Sequence, residues 1–161
     1  MIFVTVGSQM PFDRMIRAVD AWAAESGRGA EVFAQVGRSE YVPQHFACVD
    51  VLTPAAYAER CRAADLIVAH AGMGSIITAA EYGKPLLVMP RRGDLRETRN
   101  DHQVHTARWL AQQGRVMVAM DTSELTSALT CDLPEPESAE SAGSVASQEM
   151  IGALRRFIFE G

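Results

Sequence analysis

The stretch His70-Ala71-Gly72-Met73-Gly74-Ser75 follows directly on the apolar run Asp65-Leu66-Ile67-Val68-Ala69 and leads into a helix-like segment over 76–82. A strand that runs into a two-glycine turn and then a helix is an anion-receiving geometry. The glycines let the backbone approach a phosphate, and the helix start offers unpaired N–H groups and a positive dipole end. Ser75 is expected to cap this helix and to donate to a phosphate oxygen. Glu81, further along the helix, is within reach of ribose hydroxyls, and its neighbours Ala79, Ala80 and Tyr82 do not form a polar face. The cluster points to a nucleoside diphosphate ligand.

Outward from this stretch, apolar strand-like runs alternate with helical spacing. Strands are expected over 2–6, 31–36, 48–52, 66–69, 85–89 and 115–119. Helices are expected over 12–24, 54–63, 76–82, 101–113 and 123–129. Thr53 caps the second and Pro54 opens it, Asn100 or Asp101 caps the fourth, and Thr122 or Ser123 the fifth. This alternation implies βαβ units and a parallel, Rossmann-like sheet with flanking helices. Right-handed crossovers then gather Gly7-Ser8, Gly37-Arg38, the 70–75 turn and the loop after Pro90 on the carboxyl edge of the sheet. The expected organisation is one binding domain over 1–130 and a linker over 131–147, rich in Pro, Glu, Ser, Ala and Gly. A helix over 148–161 follows, with an apolar stripe at Ile151, Leu154, Phe157 and Ile158.

The 161 residues suffice for one domain with a sizeable core, at 48% hydrophobic and 22% charged. A net charge of −5 argues against a nucleic-acid partner. Cys48, Cys61 and Cys131 are odd in number and widely spaced, which fits a reducing compartment and offers no zinc pattern. The first six residues lack a basic leader, and no apolar run approaches the roughly 20 residues of a membrane span. The first strand has no G-x-G-x-x-G, which disfavours a dinucleotide fold.

Each polar group also has a plainer reading. His70, at the end of its strand, either holds the turn or donates to a diphosphate oxygen, where anionic charge favours its protonation. Asn100-Asp101-His102-Gln103 opens a helix, and one polar residue suffices for a cap; the surplus suggests that Asp101 and Gln103 contact sugar hydroxyls. Arg91, Arg92, Arg96 and Arg99 form either a solvated loop or a site for phosphate, a sugar carboxylate or an anionic headgroup.

Taken together, His70 to Ser75, Glu81, Gly83-Lys84-Pro85, Pro90-Arg91, Glu97 and Asn100 to Gln103 resemble the C-terminal, donor-binding half of glycosyltransferase family 28. The opening Met1 to Ser8, Pro11 to Arg14, Gln35 to Gly37, Ser39, Tyr41 and Pro43 narrow the resemblance to the short subunits of split glycosyltransferases. These include the exopolysaccharide and capsule pairs of PssD/PssE type and the two-subunit dolichol-linked N-acetylglucosamine transferase. The resemblance runs to about residue 129. It implies one half of a GT-B enzyme, a UDP-sugar-dependent inverting transferase active with a membrane-anchored, acceptor-binding partner on a lipid-diphosphate-linked acceptor. On matching positions, Gly72, Gly74, Ser75 and His70 would meet the diphosphate, with Gly7 and Ser8 bordering it. Glu81 would hold the ribose, and Asp101 and Gln103 would face the sugar. Asn100 and Arg91 complete the expected donor-binding set. No metal or cofactor is expected.

The chain departs from the commonest pattern at Ser8-Gln9-Met10, where bacterial relatives often carry Thr-His-Glu. Inversion needs a base to deprotonate the acceptor and charge stabilisation for departing UDP. Helix and His70 supply the second; the base is expected on the partner, with His102 and His105 as secondary candidates. The expected location is the cytoplasm, at the inner membrane face through the partner. The C-terminal helix packs either on its own domain or on the partner. The donor sugar stays open among glucuronic acid, glucose, galactose and N-acetylglucosamine, with the arginine loop favouring an acidic sugar. The alternative is a nucleotide-sugar-binding regulatory module without catalysis.

Overall fold

The computed structural model describes residues 1–8, 10–114 and 116–131, together with Glu149, Gly152, Ala153 and Arg156. Among these residues six strands alternate with helices, except that β3 follows β2 through a loop: β1 (Ile2–Thr5), α1 (Asp13–Ser26), β2 (Val32–Gln35), β3 (Ala47–Val49), α2 (Pro54–Ala63), β4 (Leu66–His70), α3 (Met73–Glu81), β5 (Leu86–Met89), α4 (His102–Gln113), β6 (Met117–Val118) and α5 (Thr122–Thr130). All pairings are parallel, in the order β3-β2-β1-β4-β5-β6. This is the Rossmann-like sheet read from the sequence.

Burial on both faces explains the unbroken apolar strands. Ile2, Val4, Leu66 and Val68 pack towards α1 and α5, with Met15, Ile16, Val19, Trp22 and Leu125. Phe3, Ile67, Ala69 and Val88 face the other way, onto Cys61 of α2, Ile76 and Ala79 of α3, and Leu110 of α4. Consecutive strand residues serve opposite layers because the side-chain period of a strand is two. The order reverses between β1 and β4, so the loops after these two strands diverge and leave a crevice at the carboxyl edge.

Several boundaries differ from the sequence expectations. The strand expected over 48–52 stops pairing at Val49. Beyond the last backbone bonds, Val36 N to Val49 O and Gly37 N to Asp50 O, Val51 and Leu52 turn to the crevice. The helix after the glycine turn starts three residues early, at Met73, so Gly72 holds the N-cap position. Ser75 is therefore no cap but sits inside the first turn, 6% exposed. Asp121, rather than Thr122 or Ser123, caps α5 by accepting from the Glu124 amide at 2.9 Å. Thr53 caps α2 as expected, accepting from the Ala56 amide at 3.2 Å. The linker and the apolar stripe of the last helix lie outside the described residues, although Glu149, Gly152, Ala153 and Arg156 have helical backbone.

Candidate functional site

A cleft of about 750 Å³ opens at the switch point. Its floor is the start of α3. Gly72 caps that helix without a side chain, and no acidic residue occupies the first turn. The amides of Met73, Gly74 and Ser75 therefore lack intrahelical acceptors and concentrate positive potential on the cleft. Gly74, Thr78 and Glu81 all line it. Their spacing of four and three places them on one helix face, so an uncapped helix start and an exposed carboxylate share one wall. Val51, Leu52, Pro54, Tyr57 and Ala58 form an apolar wall, and Gly7, Ser8 and Gln35 close the side towards β1.

His70 sits between the two glycine turns. A Cβ on Gly7 would lie 2.6 Å from its Cε1, and one on Gly72 would lie 2.1 Å from its Nε2. Glycine is required at both places for space, and at Gly7 also for a φ of +76°. The imidazole is buried enough to be pushed down to about 4, with the nearby Arg91 charge acting in the same direction. The Thr5 backbone pulls the other way, yet no partner among the described residues meets hydrogen-bond geometry at Nδ1. His70 is thus neutral at pH 7 in the free chain. The protonated imidazole expected from the sequence is disfavoured here by burial and a cationic neighbour.

The arginine loop is not a cation cluster. Arg91 is 4% exposed. Its Nη2 donates to the Val6 carbonyl at 2.8 Å and to the Met10 carbonyl, its guanidinium stacks over Phe12 at 5.2 Å, and Nε has no hydrogen-bond partner among the described residues. Arg92 pairs with Asp94 at 2.7 Å on the surface. Arg96 and Arg99 are exposed, and none of these three lines the cleft. This removes the basis for favouring an acidic sugar.

Of the sequence-predicted residues, the fold brings Gly7, Ser8, His70, Gly72, Gly74, Ser75, Glu81, Arg91 and Gln103 to one cleft. Gln103 accepts from the Arg91 amide at 3.0 Å. Asn100 and Asp101 do not line it. Asn100 accepts from the His102 amide at 3.3 Å, and Asp101 accepts from the Gly93 amide at 2.9 Å, so both carboxamide and carboxylate fold the loop locally. His102 and His105 are exposed on α4 and are also outside the cleft.

Sequence reading missed the support beneath the floor. Thr5 donates to Gln35 at 2.7 Å and accepts from the Gly7 amide at 3.3 Å, while Gln35 donates to the Gly7 carbonyl at 3.3 Å. This holds the left-handed turn from both sides. The signal was present: Thr5 and Gln35 are polar ends of otherwise apolar strands. Tyr57 and Thr78 gave no such signal. Burial pushes the Tyr57 phenol up, with the Ser75 and Thr5 hydroxyls acting against it.

The glycosyltransferase family 28 C-terminal domain matches residues 1–150. Over 125 residues the chain is 33% identical to the human UDP-N-acetylglucosamine transferase subunit ALG13, covering 71% of this chain and 10% of that protein. Over 98 residues it is 34% identical to a Deinococcus deserti UDP-N-acetylglucosamine--N-acetylmuramyl-(pentapeptide) pyrophosphoryl-undecaprenol N-acetylglucosamine transferase, covering 59% of this chain and 25% of that protein. The matched region is thus a minor part of both relatives. The solution structure of ALG13 superposes with a TM-score of 0.58 at 19% identity, covering 84% of this chain and 86% of that one.

Proposed function

The chain belongs to the glycosyltransferase family 28 C-terminal domain family, and from that premise we propose that it binds the UDP-sugar donor of a two-part inverting transferase in the cleft at the switch point. One observation carries this reading. The uncapped start of α3 and the Glu81 carboxylate lie on one helix face and line one cleft. A nucleoside diphosphate needs that pairing: amides and a dipole for the diphosphate, and an acceptor for ribose hydroxyls.

In this reading the α3 amides hold the diphosphate and take the charge that develops on UDP as the glycosidic bond forms. Glu81 accepts from the ribose. Gln103, whose carbonyl oxygen is engaged by Arg91, turns its amide donor towards the sugar. Two relatives carry UDP-N-acetylglucosamine in their names, which favours that donor. One of them also names a pyrophosphoryl-undecaprenol acceptor, which favours a lipid-diphosphate-linked acceptor. Neither His102 nor His105 lines the cleft, and in this reading His70 and Glu81 are committed to the donor; we assign the base to a membrane-anchored partner half, which would bring this chain to the inner membrane face. The setting is exopolysaccharide or capsule assembly, and no metal takes part in donor binding.

Titration calorimetry with UDP and UDP-N-acetylglucosamine tests the reading. Binding is expected without added metal, and Glu81→Ala should weaken UDP by about tenfold or more, as loss of a bidentate charge-assisted contact does. No UDP binding to the wild-type chain would overturn it.

A further inference from the structure

Three strands end side by side at the cleft: β1, β4 and β5. Arg91 leaves the chain just past β5 and donates to the carbonyls of Val6 and Met10, just past β1. Since β4 lies between them, the guanidinium spans the end of β4, where His70 enters its turn. What keeps this strap in place is outside the cleft. Glu97 accepts from Arg14 Nε at 2.6 Å and Nη2 at 2.8 Å, and from the Arg92 amide at 2.9 Å. Arg14 Nη2 also donates to the Pro90 carbonyl at 3.1 Å. The two chain neighbours of Arg91 are thereby fastened, one directly by Glu97 and one through Arg14. The pair is bidentate and part-buried, with side chains 20% and 12% exposed, so its geometry is fixed in a way that a solvated pair is not.

We propose that Glu97 is a positioning residue for the donor cleft: by fastening Pro90 and Arg92 it holds the Arg91 guanidinium across the end of β4, against His70 and the β1 loop. Its consequence for binding rests on the donor reading above. Neither Glu97 nor Arg14 lines the cleft, so Glu97 acts through Arg91. The charged group facing His70 among the described residues is Arg91, from the β5 loop; β1 and its loop present Thr5 and Gly7, and the start of α3 presents Gly72.

Two readouts on the full chain test this: the His70 imidazole titration followed by NMR, and UDP affinity by calorimetry. In the wild type His70 titrates near pH 4, as burial and Arg91 dictate. In Glu97→Ala the strap is released, so His70 titrates higher, towards 6.5, and UDP affinity falls about tenfold. Loss of the Glu97 charge without release would move His70 the other way, so the sign separates the two. Glu97→Gln keeps one acceptor oxygen for the Arg92 amide and Arg14 Nη2 but sets its NH2 against Arg14 Nε, so its loss of UDP affinity is smaller than that of Glu97→Ala. Glu31→Ala, which removes a surface pair with Arg28, changes neither readout. Arg14→Ala removes the contacts to Glu97 and Pro90 together; it raises the His70 titration as well, and it decides the question if Glu97→Ala fails to fold. An unmoved or lowered His70 titration in Glu97→Ala overturns the proposal, whatever happens to UDP. If the wild type binds no UDP, the donor reading falls, and the titration still decides the role of Glu97.

Discussion

At the residue scale the site is built by mutual exclusion of volume. Gly72 leaves no room for a side chain because the His70 ring occupies that space. Gly72→Ala should therefore cost roughly 1–3 kcal/mol in chemical denaturation, the range for forced overpacking. In a His70→Ala background the same change should cost markedly less, and an additive double-mutant cycle would contradict the packing account. The buried imidazole also makes stability depend on pH. Its pKa falls from 6.5 in the unfolded chain to about 4 in the fold. Between those values the unfolded chain binds the extra proton, so stability rises with pH across the window and is lost as pH drops from 6.5 towards 4. The contribution is on the order of 3 kcal/mol. Denaturation midpoints at pH 4.5 and 7.5 should differ less in His70→Asn than in the wild type.

At the element scale, helix caps and loop anchors explain which boundaries were legible. Thr53-Pro54 announced α2 because a hydroxyl cap followed by proline has one structural use. At the start of α5 the hydroxyls of Thr122 and Ser123 have the chemistry of a cap, but the Asp121 carboxylate caps equally well and stands first. Asp121→Ala should cost about 1 kcal/mol in thermal or chemical unfolding. The start of α3 is obscured for a related reason: Ser75 has the chemistry of a cap, but Gly72 already occupies that position with bare backbone, leaving the amides free. The end of β3 was illegible because Val51 and Leu52 are apolar for the cleft rather than for the sheet. Long-range bonds left no local trace at all. Asp20, on α1, is 2% exposed. It accepts from the Tyr41 hydroxyl at 2.6 Å and from the Gln44 and His45 amides at 3.1 and 2.9 Å, and so anchors the segment between β2 and β3. Burial pushes its carboxyl up, but the Tyr41 hydroxyl and the amides outweigh that and hold it below the ordinary carboxylate value. Its stabilising effect is therefore complete above the unfolded pKa of roughly 4 and is lost as pH falls below it.

At the scale of the whole molecule, the parts of the site come from the sheet edge and from one of its helix layers: Gly7 and Ser8 after β1, His70 ending β4, Glu81 on α3, Arg91 after β5 and Gln103 on α4. A ligand spanning these parts ties separate elements together, and it binds the folded chain alone because the unfolded chain has no cleft. Folding and UDP binding are then linked. At a free UDP concentration 100 times its dissociation constant, the fold should gain about 2.7 kcal/mol. For a chain of this size that corresponds to a rise in melting temperature of roughly 5–10 °C. Glu81→Ala, whose carboxylate is exposed in the free protein, should melt close to wild type without ligand and lose most of the UDP-dependent shift. The same linkage separates binding from turnover. The proposed donor contacts all come from this chain, so the shift should need no partner, whereas the proposed base does not, and His102 and His105 lie outside the cleft. Purified chain should therefore give the full UDP shift and no sugar transfer to a lipid-diphosphate acceptor. Transfer should emerge only when the partner half is added, and should fall in Glu81→Ala in step with the lost shift. Transfer by the chain alone would place the base within this fold and refute the divided enzyme.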